Sequence, residues 1–370
     1  MRLVAYNVNV LGTKNQAHRI ALNLRTQGRG PGKEGRLACV KGIGWYVDEY
    51  NLAQVSLNLT DHEVTPIHVA FEEARKDAQE LKLAVVGSEV VGLVPLAALL
   101  AAADYYAERE GLFLVDERQR VTLAVQRLGL ASVAAFDVDA RVIEYAVAAQ
   151  RRKAGLVDEP LASKTVRAFV EVLGARTAAP GGGSASALAA AMGSGLGAMV
   201  GWMTYGWRKF EALDPTMRRL LPPLHGAMKA LIPCIDADTD AFTDYMAAMK
   251  LPKGDGPGSP EGAARAAAMQ AGLKTAIEVP LNVMRLGDAA WDAMLEMAGV
   301  GNFGSKSDLQ VGARLLEVGI WGAHQNVLIN LKDVADAEYT ARVTGEGAAL
   351  AARAKEMMAK TLAALEERQE

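Results

Sequence analysis

Alternating apolar and polar residues in the first ninety positions predict short strands with helices between them. Residues 3–10 place Val4, Tyr6, Val8 and Val10 on one side of a strand and asparagines on the other. The order of elements is β-α-β-β-α-β, which predicts a ferredoxin-like α+β fold. Further strand-like runs cover about residues 37–47, 53–60 and 83–91, and helical patterns cover about 13–25, 65–81, 95–108 and 116–128.

Two short motifs predict where the first helices begin. Thr13 and Gln16 have the spacing of a capping box. Thr65 precedes Pro66, so Thr65 is predicted to cap a helix whose first residue is the proline.

From residue 163 onward apolar residues recur at the helical period and no strand alternation is present. We therefore predict an α+β domain over residues 1–146, a linker over 147–163, and an all-α helical bundle over 164–370. The predicted helices cover about 164–176, 184–207, 213–231, 235–250, 261–299 with a break near Pro280, 306–332 and 336–368.

The 31 residues from Thr177 to Trp207 carry no charge, which is long enough to span a membrane. Within them Gly193, Gly197 and Gly201 recur every fourth residue, a spacing that allows close helix packing in membranes and in soluble bundles. No other segment has the character of a span, and the N-terminus lacks the apolar core of a signal peptide. We therefore expect a bundle core and no membrane partner.

Composition excludes several classes of protein. Hydrophobic residues make up 51% of the 370 residues, which excludes wholesale disorder. The net charge of -3 argues against a dedicated nucleic-acid-binding protein. Cys39 and Cys234 are the two cysteines; they cannot form a disulfide scaffold or a zinc cluster, and they fit a cytoplasmic location.

Four aspartates between residues 236 and 244 are candidates for chemistry. On a helix, Asp236, Asp240 and Asp244 share one face, which is more typical of a solvated surface than of a metal site. Asp238 instead falls in the apolar seam, where a carboxylate is costly unless it is paired or used. A structural role, bonded to the end of a neighbouring helix, is an equal alternative. The seam consists of Ile235, Phe242, Tyr245 and Met249.

Two further groups of polar residues could bind a ligand. Gly181, Gly182, Gly183 and Ser184 precede a helix, where free backbone N–H groups can bind an anion; a tight turn is the alternative. The second group could recognise a polar heterocycle or form hydrogen bonds between helices. It comprises Asn302, Ser307, Asp308, Asn326 and Asn330.

Seven basic residues and one glutamate lie between Lys14 and Lys41, and this stretch includes Arg19. Such a stretch suits an anionic ligand. A solvated helix and loop are an equal alternative.

Ordered strings along the whole chain resemble the formimidoyltransferase-cyclodeaminase family, the bifunctional folate enzymes of histidine breakdown. In the first half the resemblance is carried by residues 9–14, 17–21, 41–46, 51–56 and 92–95. In the second half it is carried by residues 179–184, 203–206, 236–238, 307–311 and 326–330.

The resemblance implies a transferase module followed by a cyclodeaminase bundle. It identifies residues 1–146 as the C-terminal transferase subdomain and implies that the N-terminal subdomain is absent. Formimidoyl transfer is then expected only with a separate chain that supplies that subdomain. The transferase site of the family would lie near Glu49, and the basic residues Lys14 and Arg19 would hold the polyglutamate tail of folate.

For the bundle, the resemblance implies conversion of 5-formimidoyltetrahydrofolate to 5,10-methenyltetrahydrofolate and ammonia. Asp238 matches the catalytic aspartate, and the glycine turn and the second polar group would position folate. No metal or other cofactor is expected beyond the tetrahydrofolate substrate. The cyclodeaminase site of the family lies between the bundles of two chains. A homo-oligomer is therefore expected, either a dimer or a larger assembly such as an octamer. The alternatives are a methenyltetrahydrofolate cyclohydrolase and a non-catalytic folate-binding subunit of a split transferase.

Overall fold

A computed structural model describes residues 3–153, 160–255 and 259–368. The chain divides into two compact units, Met1–Asp158 and Glu159–Glu370. This division falls inside the predicted linker. Residues 147–153 of that linker are helical and continue the last helix of unit 1, and residues 154–159 lie outside the described part.

Unit 1 has the predicted ferredoxin-like order of elements. Its sheet has the strand order β2-β3-β1-β4, and every neighbouring pair is antiparallel. The elements are β1 (Val4–Leu11), α1 (Lys14–Leu24), β2 (Val40–Val47), β3 (Leu52–Leu59), α2 (Ile67–Glu80) and β4 (Ala84–Val91), followed by α3 (Leu96–Glu110), α4 (Glu117–Leu128), α5 (Val138–Arg141) and α6 (Ile143–Lys153).

The apolar side of β1 forms the core of unit 1, because Val4, Tyr6, Val8 and Val10 are completely buried. The other side of β1 is buried as well, and there Asn7 and Asn9 need hydrogen-bond partners. Alternation alone predicted that this side is polar, but it could not predict that it is covered.

The two predicted helix starts have different outcomes. The capping box at Thr13 is present, with Thr13 Oγ1 accepting from Gln16 N–H and Gln16 Oε1 accepting from Thr13 N–H. The predicted cap at Thr65 is wrong. Its hydroxyl donates to the carbonyl of Ala38 at 2.6 Å, and α2 begins after Pro66 without a side-chain cap.

Unit 2 is built from helices throughout its described residues. They are α7 (Val166–Leu173), α8 (Gly182–Trp202), α9 (Asp214–Leu231), α10 (Cys234–Met249), α11 (Pro260–Asp288), α12 (Trp291–Val300), α13 (Lys306–Leu331) and α14 (Ala337–Glu367), with short 3-10 helices at Leu161–Ser163, Arg208–Leu213 and Phe303–Ser305. The α+β subdomain followed by a helical bundle is therefore confirmed.

Helix α8 packs against α13 at backbone distance. A Cβ atom on Gly193 would lie 2.5 Å from the backbone nitrogen of Leu316, and one on Gly319 would lie 2.6 Å from that of Ala190. Gly197 and Gly201 instead make room for side chains of α9 and α12. Within the described ranges, α8 is the one helix that is long and apolar enough to cross a membrane. Most of it is buried in the bundle, as predicted for a core helix.

The predicted helix break near Pro280 is wrong. Helix α11 continues through Pro280 and ends at Asp288. Proline has no N–H, so it cannot donate to the carbonyl of Ala276 one turn earlier. That carbonyl accepts a hydrogen bond from Asn330 Nδ2 on α13 at 3.1 Å. The amide of Asn330 therefore replaces the bond that the proline cannot make.

We expect Asn330→Ala to lower the free energy of unfolding of unit 2 by about 1 kcal/mol, because the carbonyl of Ala276 loses its donor. In a Pro280→Ala background the loss should be smaller, since residue 280 can then donate within the helix. Urea denaturation followed by helical circular dichroism measures both effects. Gln325→Ala is the control, because Gln325 is exposed on the same helix. An equal loss in both backgrounds would show that Asn330 does not act through the proline gap.

Candidate functional site

The carboxylate of Asp238 lies at the beginning of α8. Its Oδ2 atom accepts a hydrogen bond from the backbone N–H of Ser184 at 3.0 Å, and the Ser184 hydroxyl lies 3.4 Å from the same oxygen. Ser184 is the third residue of α8, where a backbone N–H has no partner within its own helix. Asp238 thus occupies the position of a helix cap, the structural role that the sequence left open.

The environment of Asp238 also alters its protonation. Burial raises the pKa of the Asp238 carboxyl, and the two Ser184 donors oppose this effect only in part. Oδ1 has no hydrogen-bond partner among the described residues. One carboxylate oxygen is therefore anchored and the other is free to exchange a proton with a bound molecule.

Gly183 makes the position of this carboxylate possible. A Cβ atom on Gly183 would lie only 1.9 Å from Asp238 Oδ1, whereas Cβ atoms on Gly181 and Gly182 would have no neighbour closer than 3.7 Å. Helix α8 begins at Gly182, two residues earlier than predicted, so Gly183 lies in its first turn. The predicted anion-binding turn thus uses at least one of its N–H groups to bind a carboxylate of the same chain.

The apolar seam predicted around Asp238 extends over only part of α10. Ile235 is buried and Met249 is exposed. The other aspartates do not converge on a metal site: Asp236 accepts from the N–H groups of Leu161 and Ala162 at 2.5 and 3.3 Å. In the three described ranges no group of three or more His, Cys, Asp or Glu side chains is arranged to hold a metal ion.

A shallow cavity of about 300 Å³ lies beside the start of α8, between α8 and α13. Asn326 lines it, and its Nδ2 donates to the carbonyl of Gly322 at 2.8 Å. The cavity is largely apolar with amides at its edge, which suits a flat ring with polar edges. Its lining residues are Gly182, Ala185, Ser186, Ala189, Val318, Trp321, Gly322, Gln325 and Asn326.

The other predicted site residues of unit 2 are not brought to Asp238 within one chain. Asn302 bonds to Thr204, Met203 and Gly304 in a turn, and Ser307 and Asp308 begin α13. Asp308 and Asn326 are separated by about 27 Å along α13, from the rise of 1.5 Å per residue. Asn330 is engaged with α11, as described above. The predicted group is therefore divided between the two ends of α13.

Unit 1 carries a second polar site on the side of its sheet opposite the core. Gln54 is its centre: its Oε1 accepts from Asn7 and Trp45, and its Nε2 donates to Asn9 and Glu89. Gln54, Asn7, Trp45 and Glu89 border a cavity of about 490 Å³ that Glu49 also lines. Glu49 is among the residues that the sequence predicted, whereas Gln54 and Glu89 are not. Both are polar residues within strands, and Gln54 is buried.

The basic residues of unit 1 do not form one free patch. Arg36 is paired with Glu73 and Asp77, and Arg25 donates to backbone carbonyls of Gly28 and Gly42. Lys14 and Arg19 are exposed on α1. Binding of a folate tail by Lys14 and Arg19 stays a prediction.

Comparisons with known proteins agree with the division into two units. A model of the formiminotransferase domain matches residues 5–148, and a model named formiminotransferase-cyclodeaminase matches residues 165–349. Because the transferase model matches nearly all of unit 1, a transferase domain is present at the N-terminal end of this chain. The expectation that the N-terminal transferase part is absent is therefore wrong.

Three relatives illustrate the range of similar proteins. A formimidoyltransferase-cyclodeaminase from Dictyostelium discoideum is 56% identical over 368 residues, which is all of this chain and 66% of the relative. A methenyltetrahydrofolate cyclohydrolase from Methylorubrum extorquens is 34% identical over 174 residues, covering 47% of this chain and 82% of that protein. A glutamate formimidoyltransferase from Thermoplasma acidophilum is 40% identical over 111 residues, covering 30% of this chain and 34% of that protein.

The chain thus spans 66% of the length of the bifunctional relatives that it matches. Both units match family models in the order that the sequence motifs indicated, and the second model alone covers half of the chain. The chain belongs to the formiminotransferase-cyclodeaminase family.

Proposed function

We propose that unit 2 converts 5-formimidoyltetrahydrofolate to 5,10-methenyltetrahydrofolate with release of ammonia. The observation that carries this proposal is the carboxylate of Asp238, with one oxygen anchored to α8 and the other free. The family membership and the cavity beside the start of α8, between α8 and α13, support it.

The reaction needs one group that first removes a proton and then returns it. N10 of the folate attacks the carbon of the protonated, amidinium form of the formimidoyl group, and the ionised Asp238 carboxylate takes the N10 proton. The protonated carboxyl then donates that proton to the amino group of the tetrahedral adduct, the C–N bond breaks, and ammonia leaves. The methenyl product is cationic, so the carboxylate also stabilises it by charge. A raised pKa suits this role, because it brings the carboxyl closer to the pH at which it must act as both base and acid.

Asp238→Asn should lower deamination at least a hundredfold, because the amide oxygen can still accept from Ser184 but cannot exchange the proton. The formation of the methenyltetrahydrofolate absorbance band measures this. The wild-type rate should also fall in acid as Asp238 is protonated, at a pH above the ordinary carboxyl range.

The thermal stability of the Asn variant separates catalysis from a purely structural cap. Because the folded state raises the pKa of Asp238, ionisation of this group destabilises the fold as pH rises through that value. The neutral Asn variant should therefore be as stable as the wild type at pH 7, or more stable. A variant that deaminates at the wild-type rate, or that merely unfolds, would count against the catalytic role.

A second candidate for unit 2 is methenyltetrahydrofolate cyclohydrolysis, because a cyclohydrolase matches 47% of this chain. The same bundle and carboxylate could activate water against the methenyl carbon. Turnover of the two folates by one preparation discriminates between these reactions. We expect release of ammonia from 5-formimidoyltetrahydrofolate to be faster than hydrolysis of 5,10-methenyltetrahydrofolate. The opposite order of rates would reverse the assignment.

Unit 1 is a candidate contributor to formimidoyl transfer to or from glutamate. The transferase model and the polar face around Gln54, Glu89 and Glu49 support this. Its match to the transferase of Thermoplasma acidophilum spans 34% of that protein. Transfer of the formimidoyl group by the purified chain tests this contribution, and a chain that catalyses no transfer would contradict it.

Self-association is proposed for the exposed face of α8 and α13. Large apolar residues follow this face over the length of α13, a pattern typical of an interface. A two-fold, antiparallel arrangement would bring Asn302 and Asp308 of one copy toward Asp238 of the other. The exposed apolar residues are Met192, Val311, Val318, Trp321 and Ile329.

Trp321→Glu should therefore produce monomers in sedimentation velocity and reduce deamination, since a charge would be buried in the interface. Trp207→Glu is the matched control, because Trp207 lies outside this face. Its exposed fraction is 59%, close to the 56% of Trp321. A wild-type chain that is monomeric and fully active would exclude this arrangement.

A further inference from the structure

We propose that Ser184 is a positioning residue that holds Asp238 and one turn of α10 in the geometry needed for proton transfer. The inference rests on the proposed deaminase function of unit 2. The family resemblance implies only that Ser184 belongs to a turn that positions folate.

Ser184 contacts three residues within one turn of α10. Its backbone N–H donates to Asp238 Oδ2 at 3.0 Å, and its hydroxyl donates to the carbonyl of Ile235 at 2.7 Å. The hydroxyl also lies 3.3 Å from Thr239 Oγ1. Ser184 is completely buried, so water does not compete for these bonds. A side chain placed to bind substrate would leave its hydroxyl free, whereas this hydroxyl is used on the helix that carries Asp238.

Gly183 limits the carboxylate from the other side. Any side chain at this position would overlap Asp238 Oδ1, as the 1.9 Å separation shows. The carboxylate therefore lies directly against the first turn of α8, where Gly183 excludes larger residues beside Oδ1 and the Ser184 N–H fixes Oδ2. Oδ1 has no hydrogen-bond partner among the described residues, so it is the oxygen that we assign to the folate.

The same contacts affect the charge of Asp238. Among the described residues, burial and the two Ser184 donors are the influences that move the pKa of Asp238, and no charged side chain contributes. The single proton of the hydroxyl lies mainly on the Ile235 carbonyl at 2.7 Å and is shared only weakly with Asp238 Oδ2 at 3.4 Å. Removal of the hydroxyl should therefore raise the pKa of Asp238 by a small amount, because even a weak donor stabilises the ionised form. A residue with a packing role only would leave this pKa unchanged.

Ser184→Ala retains the backbone donor and removes only the hydroxyl. We expect kcat for deamination to fall about three- to tenfold with little change in KM, and the acid limb of the pH profile to move up by about half a unit. Ser194→Ala is the matched control, because Ser194 is also completely buried on α8 but its hydroxyl has no hydrogen-bond partner among the described residues. The control should keep the wild-type rate and pH profile.

Gly183→Ala tests the other side of the carboxylate. We expect at least a hundredfold loss of kcat, with Gly226→Ala as the control because nothing lies within 4 Å of its added Cβ atom. Both Ser184→Ala and Gly183→Ala should cause no further loss in an Asp238→Asn background, since they act through that carboxylate. Independent, multiplicative losses would overturn the proposal.

Carbon-13 titration of the Asp238 carboxyl distinguishes failure of this inference from failure of the proposed function. A pKa that is higher in Ser184→Ala than in Ser194→Ala supports the positioning role even if the wild type does not deaminate. If the wild type deaminates, and Ser184→Ala matches Ser194→Ala in rate and in carboxyl pKa, the positioning role is overturned while the deaminase function stands.

Discussion

Unit 2 depends on one constraint. Helix α8 packs so closely against its neighbours that no side chain fits between the backbones at the contact points. Gly193 and Gly319 allow α8 and α13 to approach until an added methyl group would overlap the facing backbone. At the start of the same helix, Gly183 allows the Asp238 carboxylate to lie directly against the chain. Because packed helices cannot adjust to an added group without moving apart, the glycines set both the architecture and the position of the candidate catalytic group.

Asp238 has the structural role that the sequence left as one alternative, and its environment suits the catalytic role that we propose. As a cap, its Oδ2 satisfies an N–H at the positive end of α8, an interaction that favours the ionised form. As a partly buried carboxyl with no cationic partner in the described part of the chain, it has a pKa that burial raises. The cap fixes the direction of the group, and burial brings its protonation closer to the range useful for acid–base chemistry. The structural role thus holds the carboxylate in the orientation that the proposed chemical role requires.

Hydrogen bonds between elements explain two places where local sequence rules failed. Proline usually interrupts a helix, yet α11 continues because Asn330 on α13 donates to the carbonyl that Pro280 leaves free. Threonine before proline usually caps a helix, yet the Thr65 hydroxyl donates to Ala38. A partner distant in sequence supplied the missing bond at Pro280, and another accepted the hydroxyl that would have capped the helix at Thr65.

The sequence by itself determined the order of elements, the ferredoxin-like sheet and the helical bundle. It also identified Asp238 as a carboxylate in the apolar seam of its helix. Periodicity carries this information because core-facing residues must recur at the period of a helix or a strand. Motif strings determined the family. Only the tertiary structure decided that Asn302 and Asp308 lie far from Asp238 along the bundle, that Asn330 serves α11, and that Gln54 and Glu89 join Asn7 in one network. These results depend on which helices and strands are neighbours, and a pattern along one chain does not specify the partners of a side chain across the core.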